Sequence, residues 1–165
     1  MSYLKYETPL GTMMAKANDK GILRLEFIDE EEELLSISDV RQFDENYNAN
    51  PHLAKLGAEL NAYFSGELKK FTVPMILQGT AFQIEVWKAL KKIPYGTVAT
   101  YGEISHQIKN PKAVRAVGAA NGANNIAIVI PCHRVIGASG KMTGYAYGIW
   151  RKEWLLEHEK KNLSK

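Results

Sequence analysis

The amino-acid sequence predicts a mixed α/β chain of the α+β type, in which a small antiparallel sheet with one helix precedes a mainly helical region. Short apolar segments separated by turn residues fill the first third of the 165 residues, and one stretch of helical spacing follows them. Helix-start signals dominate after Thr80. We therefore expect an N-terminal sheet-and-helix domain over residues 1–77 and a C-terminal domain over residues 78–165.

Three predicted strands open the chain. The segments YLKYE, TMMAKA and ILRLEFI are separated by PLG and NDKG, which are turn signals, and such short connections favour an antiparallel meander. The acidic run at 30–33 is interpreted as a solvated helix start or loop, with no function attached to it.

One helix is predicted from Pro51 to Gly66, because glycine is a natural C-terminal stop and the apolar residues before it recur at helical spacing. Those residues are Leu53, Leu56, Leu60 and Phe64. The segment ELKKFTVPMILQG that follows is interpreted as the connection between the two parts.

Two capping-box patterns predict helix starts in the second part. Thr80 is followed at the third position by Gln83, and Thr100 is followed in the same way by Glu103. The first helix is expected to bury one face and the second to run to about Ile108. The residues of that buried face are Phe82, Val86, Leu90 and Ile93.

The next helix is predicted to use Asn110 as its cap and Pro111 as its first residue, and to fade at Gly122. Two short helices joined by a tight turn resemble a helix-turn-helix, so the domain is expected to be winged-helix-like. The second of these helices, KAVRAVGAA, surrounds a single Arg115 with small residues. Small residues suit either close helix packing or a narrow nucleic-acid groove.

The charge distribution favours the nucleic-acid alternative. Residues 1–77 carry 8 Lys and Arg against 13 Asp and Glu, a net −5, whereas residues 78–165 carry 13 against 5, a net +8. A basic half indicates an anionic partner, with ordinary solvated charge as the alternative. With Arg115 on the small-residue helix, we favour DNA.

Composition excludes several other classes of protein. The hydrophobic share of 45% and the charged share of 24% are typical of soluble globular chains. The N-terminus is neither a signal nor a transit peptide, and no apolar run approaches membrane-spanning length, so we expect a cytoplasmic location and no membrane partner. One cysteine excludes an intramolecular disulfide and a Cys-rich zinc site.

That cysteine, Cys132, directly precedes His133 and Arg134 in the stretch IAIVIPCHRVIG. It is either a buried small hydrophobe or a reactive thiol, and a thiolate needs a neighbouring base or positive charge. Adjacent residues do not face each other in regular structure, so His133 is expected to act through a water and to need an orienting carboxylate. Glu159, on a final helix predicted from about Trp150 to Lys161, can face inward and is the candidate.

The stretch IPCHRV, with KAVRAVGAANGANN before it and GYAYGIWRKEWLLEHE after it, closely resembles the O6-alkylguanine-DNA alkyltransferases. The resemblance is continuous from about Phe82 to Glu159. The N-terminal part is similar to the smaller domain of that family only loosely, and it lacks the cysteines that form a zinc site in some relatives.

The resemblance implies direct reversal of DNA damage by a methylated-DNA–protein-cysteine S-methyltransferase. Such a protein irreversibly moves the alkyl group of O6-alkylguanine to its own cysteine and acts once, with O4-alkylthymine as a second candidate substrate. The implied partner is double-stranded DNA that carries the lesion. No cofactor, metal or obligate protein partner is implied, so we expect a monomer.

Carried over by position, the resemblance implies that Cys132 is the nucleophile, His133 its base through a water, and Glu159 the carboxylate that orients the histidine. Asn124 matches the asparagine that braces the active-site turn. Tyr101 matches the tyrosine beside the flipped nucleotide.

Arg115 matches the arginine that occupies the space left by the extruded base. The helix around it matches the one that family members lay in the minor groove, so its small residues are implied DNA contacts together with Tyr101. These small residues are Ala113, Ala116, Gly118 and Ala119.

The residues Tyr145, Ala146 and Tyr147 match the loop that closes over the guanine. Many relatives have glycine where Tyr147 stands. A bulky residue at that position narrows the pocket, which leaves methyl transfer plausible and disfavours large O6 adducts.

Two rival classes of protein are weighed against this one. A DNA-binding regulator without chemistry would not need Cys132, His133 and Glu159 together. A cysteine hydrolase would need an oxyanion site and usually a histidine far away in sequence, and the sequence identifies neither.

Overall fold

A computed structural model describes residues 1–29 and 50–165, so the acidic run at 30–33 lies outside the described residues. Contacts between Cα atoms divide the chain into two units, Met1–Leu77 and Gln78–Lys165. An antiparallel sheet lies in the first unit and four of the helices lie in the second, which confirms the predicted α+β class.

The predicted meander is confirmed. Strands β1 (Ser2–Thr8), β2 (Gly11–Ala17) and β3 (Ile22–Phe27) pair antiparallel in the order β1-β2-β3. Thr8 pairs with Gly11, so Pro9 and Leu10 form a two-residue hairpin loop, as their turn signal predicts. The buried side chains of β2 and β3 contribute to the core of this unit.

Helix α1 (Pro51–Phe64) packs against β1 and β2. The Asn50 side chain accepts hydrogen bonds from the backbone N–H groups of His52 and Leu53, and Gly66 follows the last turn with a φ of +84°, so the predicted glycine stop is confirmed. The buried face ends at Tyr63, which is fully buried, rather than at the predicted Phe64.

The segment after α1 is more than a connection, because it is bonded to the first unit. Ile22 donates to Pro74 O over 2.8 Å, and Ile76 donates to Ile22 O over 2.8 Å. The Glu59 carboxylate accepts the backbone N–H groups of Thr72 and Val73. Residues 72–76 therefore extend the sheet-and-helix core, a pairing across more than 50 positions that local patterns do not signal.

The second unit contains α2 (Ala81–Leu90), α3 (Tyr101–Gln107), α4 (Val114–Gly122) and α5 (Ile149–Lys161). Both predicted capping boxes are present, at Thr80 and at Thr100. The predicted start of the next helix at Asn110 and Pro111 is wrong. Asn110 instead begins a turn, in which its carbonyl accepts the N–H of Ala113, and α4 starts after Ala113 without a side-chain cap.

One link joins two helices of this unit, and a second places the thiol turn, Cys132–Arg134. The Trp87 indole of α2 donates to Ala120 O of α4 over 2.8 Å, deep in the core. A short parallel pair joins β4 (Ala99–Thr100) to β5 (Val135–Ile136). Since β4 leads directly into α3 and β5 directly follows a 3-10 turn at Cys132–Arg134, this pair brings the start of α3 beside the thiol turn.

Among the described residues no helix is long and apolar enough to cross a membrane.

Candidate active site

The apolar run before the thiol is a buried turn. All five residues of 126–130 are buried, and Ile128 has a φ of +70°, which is rare for a β-branched residue. Asn124 holds this turn: its amide donates to Ile130 O over 2.9 Å, and its Oδ1 accepts the N–H of Ile126 over 3.0 Å. The side chain thereby fixes a strained backbone immediately before the cysteine.

Cys132 begins the 3-10 turn, and only 5% of its surface is exposed. Its N–H donates to Ile130 O, and the Asn121 amide donates to its carbonyl over 3.4 Å. Burial raises the pKa of the Cys132 thiol, while the Asn124 amide and the Lys152 charge act in the opposite direction. The resting sulfur is therefore a neutral thiol that needs a proton acceptor before it can act as a nucleophile.

His133 and Glu159 form a fully buried pair. His133 Nε2 lies 2.7 Å from Glu159 Oε2, and neither side chain is exposed. An ionised carboxylate accepts the Nε2–H, so the ring is held in the tautomer whose Nδ1 carries the lone pair. This Nδ1 is buried and has no hydrogen-bond partner among the described residues, so it is the basic atom of the pair.

Arg134 completes this cluster from the same turn. Its Nε donates to Glu159 Oε1 over 2.8 Å, its Nη2 donates to Oε2 over 3.1 Å, and its Nη1 donates to Ile93 O over 2.7 Å. The guanidinium also lies over the Tyr95 ring, 5.6 Å from its centroid. The carboxylate is therefore shared between a bidentate arginine and the histidine.

The electrostatics follow from this sharing. Burial favours the protonated acid, but the hydrogen bonds and charges of His133 and Arg134 outweigh it and hold the pKa of Glu159 well below its usual range. Burial lowers the pKa of His133; Glu159 opposes this shift, and the Arg134 charge adds to it. Glu159 is therefore ionised and His133 neutral at pH 7, which is the pair of states that a base and its orienting carboxylate require.

Tyr101 and the 143–148 loop meet at one wall of the site. Tyr101 is the first residue of α3, and its hydroxyl lies 3.0 Å from the hydroxyl of Thr143. The Tyr145 and Tyr147 rings contact edge to face at 5.6 Å, and Ala146 between them is exposed.

The Tyr145 hydroxyl is buried without a hydrogen-bond partner among the described residues. Burial raises the pKa of Tyr145 well above its usual value, and Cys132 adds to the shift. The loop therefore brings a buried phenol into electrostatic contact with the thiol.

The small residues of helix α4 and Ala113, which precedes it, differ in exposure. Arg115, Ala116 and Ala119 are exposed, whereas Ala113 and Gly118 are half-buried. A Cβ at Gly118 would lie 3.9 Å from the Tyr101 ring, so this glycine borders the site. The exposed surface of the helix therefore combines two short alanine side chains with one positive charge, that of Arg115.

Four residues of this site were not assigned from the sequence, and three of them are buried. Arg134 was considered only as a charge near the thiol, and its fork on Glu159 needs the fold to bring positions 134 and 159 together. Nothing local in the sequence distinguishes the buried Lys152 from a solvated lysine, and nothing local marks Thr143 as a residue of the site. Asn121 lies in the same NGANN run that pointed to Asn124, and that run was the available clue.

Comparison with known proteins identifies the family. The model of the 6-O-methylguanine DNA methyltransferase DNA-binding domain matches residues 81–161, and that of the ribonuclease-like domain of the same methyltransferase matches residues 1–77. A methylated-DNA–protein-cysteine methyltransferase from Methanosarcina acetivorans is 45% identical, over 96% of this chain and 98% of its own. One from Shigella flexneri is 46% identical, over 94% and 93%.

A solved structure is similarly close in fold. The crystal structure of Mycobacterium tuberculosis OGT in complex with DNA matches with a TM-score of 0.86 and 44% identity, over 98% of this chain and 94% of that one. Together the two domain models cover residues 1–77 and 81–161, and the Methanosarcina acetivorans relative matches over nearly the full length of both chains. The chain belongs to the 6-O-methylguanine DNA methyltransferase family.

Proposed function

We propose that this protein repairs O6-alkylguanine in double-stranded DNA by transferring the alkyl group, irreversibly and once per molecule, to its own Cys132. The observation that carries the proposal is the arrangement at the thiol turn. The single cysteine of the chain directly precedes a buried histidine, and Glu159 holds the Nε2 of that histidine. Its Nδ1 has no hydrogen-bond partner among the described residues, so it can accept a proton. Membership in the methyltransferase family supports the same reaction.

DNA binding is assigned to residues 78–165, where the net charge is +8. The exposed side of α4, with Arg115, Ala116 and Ala119, suits close approach to a groove, and Gly118 and Ala113 allow its backbone to lie near the DNA. A base inside a duplex cannot reach a buried thiol, so it must be extruded. Arg115 is the exposed side chain on this surface that is long enough to fill the gap.

The chemistry then proceeds by nucleophilic displacement at carbon. The thiol proton passes to His133 Nδ1 through a water, and the sulfur attacks the alkyl carbon. A C–S bond forms as the C–O6 bond breaks, its electron pair stays on guanine, and guanine takes up a proton. The Tyr101 hydroxyl is suited to donate a hydrogen bond to guanine as it leaves, before guanine takes up the proton held by His133. Asn124 keeps the sulfur in place through the turn that it braces.

The pocket wall formed by Tyr145, Ala146 and Tyr147 sets which alkyl groups fit. The edge-to-face contact of the two tyrosines fills space beside the thiol, which suits a methyl group better than a benzyl group. The product is a thioether, and a thioether cannot be hydrolysed by a neighbouring base. Each molecule therefore repairs about one lesion.

Mass analysis after incubation with duplex that contains O6-methylguanine tests the proposal. We expect the intact mass to rise by one methyl group in place of a hydrogen, on the peptide that contains Cys132, with one guanine restored per molecule. The Cys132→Ser variant should bind the duplex and gain no mass. Binding without any mass change in the wild type would favour the regulator, and repeated turnover would favour the hydrolase.

A cytoplasmic location is part of the proposal. Its support is chemical: a protein whose single working group is a thiol needs a reducing compartment to keep that thiol free. Fractionation of cells that express the tagged chain would test it.

A further inference from the structure

Lys152 on α5 is a buried charge that the mechanism above does not use. Its side chain is fully buried, and among residues 1–29 and 50–165 no carboxylate lies within ion-pair distance of its ammonium. A buried charge without an opposite charge is costly. Arg134, the neighbouring buried cation, is by contrast neutralised by Glu159.

Two backbone carbonyls hold the ammonium. Lys152 Nζ donates to Val135 O over 2.5 Å and to Thr143 O over 3.0 Å. Val135 begins the strand directly after the thiol turn, and Thr143 carries the hydroxyl that meets Tyr101. One side chain therefore ties the strand after Cys132 to the loop that forms the pocket wall.

The thiol and the ammonium also act on each other across this site. Burial lowers the pKa of Lys152 and raises the pKa of the Cys132 thiol, and each group opposes the shift of the other: the Lys152 charge favours ionisation of Cys132, and Cys132 favours the protonated form of Lys152. The other titratable groups nearby are already engaged or remain neutral. Glu159 holds both His133 and Arg134, and burial keeps Tyr145 protonated.

We propose that Lys152 is a positioning residue for alkyl transfer, which fastens the pocket loop to the thiol turn and provides the compensating positive charge when the sulfur ionises. Lys152 keeps its own proton throughout. The thiol proton goes to His133 and later to guanine, so the ammonium balances charge without entering the bond changes. This inference rests on the proposed role of Cys132 as alkyl acceptor.

The test compares Lys152→Met, Lys152→Arg and, as a control on the same helix, Lys160→Met, which removes an exposed charge. Iodoacetamide is used across a pH series, and the mass gain reports Cys132 alone because the chain has one cysteine. At pH 7.5 we expect the Lys152→Met variant to react about tenfold more slowly than wild type, the size of effect that loss of a nearby opposite charge has on ionisation.

The pH midpoint of that reaction separates charge compensation from simple support of the fold. In Lys152→Met it should move to higher pH, in Lys152→Arg it should move less, and in Lys160→Met it should not move. Methyl transfer from O6-methylguanine duplex should fall in parallel. An unchanged midpoint in Lys152→Met, with wild type still accepting methyl groups, would overturn this inference and leave the proposed function intact.

A measurement on the wild-type protein covers the case in which the Lys152 variants do not fold. With lysine labelled at Cε, the resonance of Lys152 is titrated before and after Cys132 is methylated. We expect the methylated protein to lose the Lys152 proton at lower pH, because the sulfur can no longer carry a negative charge. The same titration in both forms would refute charge compensation, and a wild type that gains no methyl group would instead refute the proposed function.

Discussion

The two hydrogen bonds that Arg134 donates to the Glu159 carboxylate should contribute measurably to the free energy of unfolding. Arg134→Met retains apolar bulk against Tyr95 but removes both bonds to the carboxylate and the bond to Ile93 O. Removal of one partner of a buried ion pair costs about 3–5 kcal/mol, because the other charge stays buried. We expect a loss near 3 kcal/mol, since His133 still holds Glu159.

A double-mutant cycle isolates the interaction itself. Glu159→Gln leaves Arg134 buried without a carboxylate and should be at least as destabilising. The double variant removes both charges, so its loss should be smaller than the sum of the single losses by about 1–3 kcal/mol. Glu157→Gln, an exposed change on the same helix, is the control and should cost less than about 0.5 kcal/mol.

Urea unfolding followed by tryptophan fluorescence is a suitable assay, because all three tryptophans lie after residue 77 and report the second unit. Losses that add within about 0.5 kcal/mol would show that the two side chains do not stabilise each other, and the description of a shared carboxylate would then be wrong. Arg134 also lowers the pKa of His133 through its charge. The acid limb of methyl transfer should therefore move to higher pH in Arg134→Met.

Three further outcomes are expected. Arg115→Ala should slow repair of duplex at least tenfold more than reaction with free O6-methylguanine base, because only the duplex requires a base to be extruded; equal losses in the two rates would remove that role. In single-turnover assays, Tyr147→Gly should raise the rate of transfer from O6-benzylguanine at least tenfold and change the rate of methyl transfer little. Equal changes in both rates would show that Tyr147 does not restrict the size of the alkyl group. The folded structure lowers the pKa of Glu159 from its ordinary value of 4.5. The stability that Glu159 contributes is therefore fully present above pH 4.5 and is lost as the pH falls toward the lowered pKa. Urea midpoints of wild type and Glu159→Gln should therefore converge in acid, and a constant gap would refute that assignment.

The sequence predicted those parts of the fold whose signals are local. The meander follows from two turn signals between alternating strands, and both capping boxes mark true helix starts because Thr100 and Thr80 satisfy backbone N–H groups within three residues. The prediction of a helix start at Asn110 was wrong because its signal is equally local. An asparagine before a proline suits a turn as well as a helix cap, and here the turn forms. Local chemistry alone does not separate these two outcomes.

The parts that were missed depend on contacts between distant positions. The pairing of residues 74–76 with Ile22 is permitted by Gly21, where a Cβ would lie 2.6 Å from Pro74 O, yet a glycine beside a turn has many explanations. Lys152 looks like any helix lysine until the fold places it between two carbonyls. The roles carried over from the resemblance, at His133 and Glu159 for example, are supported by the pair's geometry and remain to be tested by experiment.

The resting state of the thiol suits a protein that is used once. A thiolate reacts with many electrophiles, and premature alkylation would consume a molecule that has no second cysteine to take its place. Burial favours the protonated sulfur, and the groups suited to ionise it come from different parts of the fold: His133 of the thiol turn is placed to accept the proton, Glu159 of α5 holds the imidazole, and Asn124 fixes the backbone before the cysteine. The sulfur thus becomes a strong nucleophile only after its proton has moved to a neighbouring base, which limits its reaction with electrophiles that meet the resting thiol.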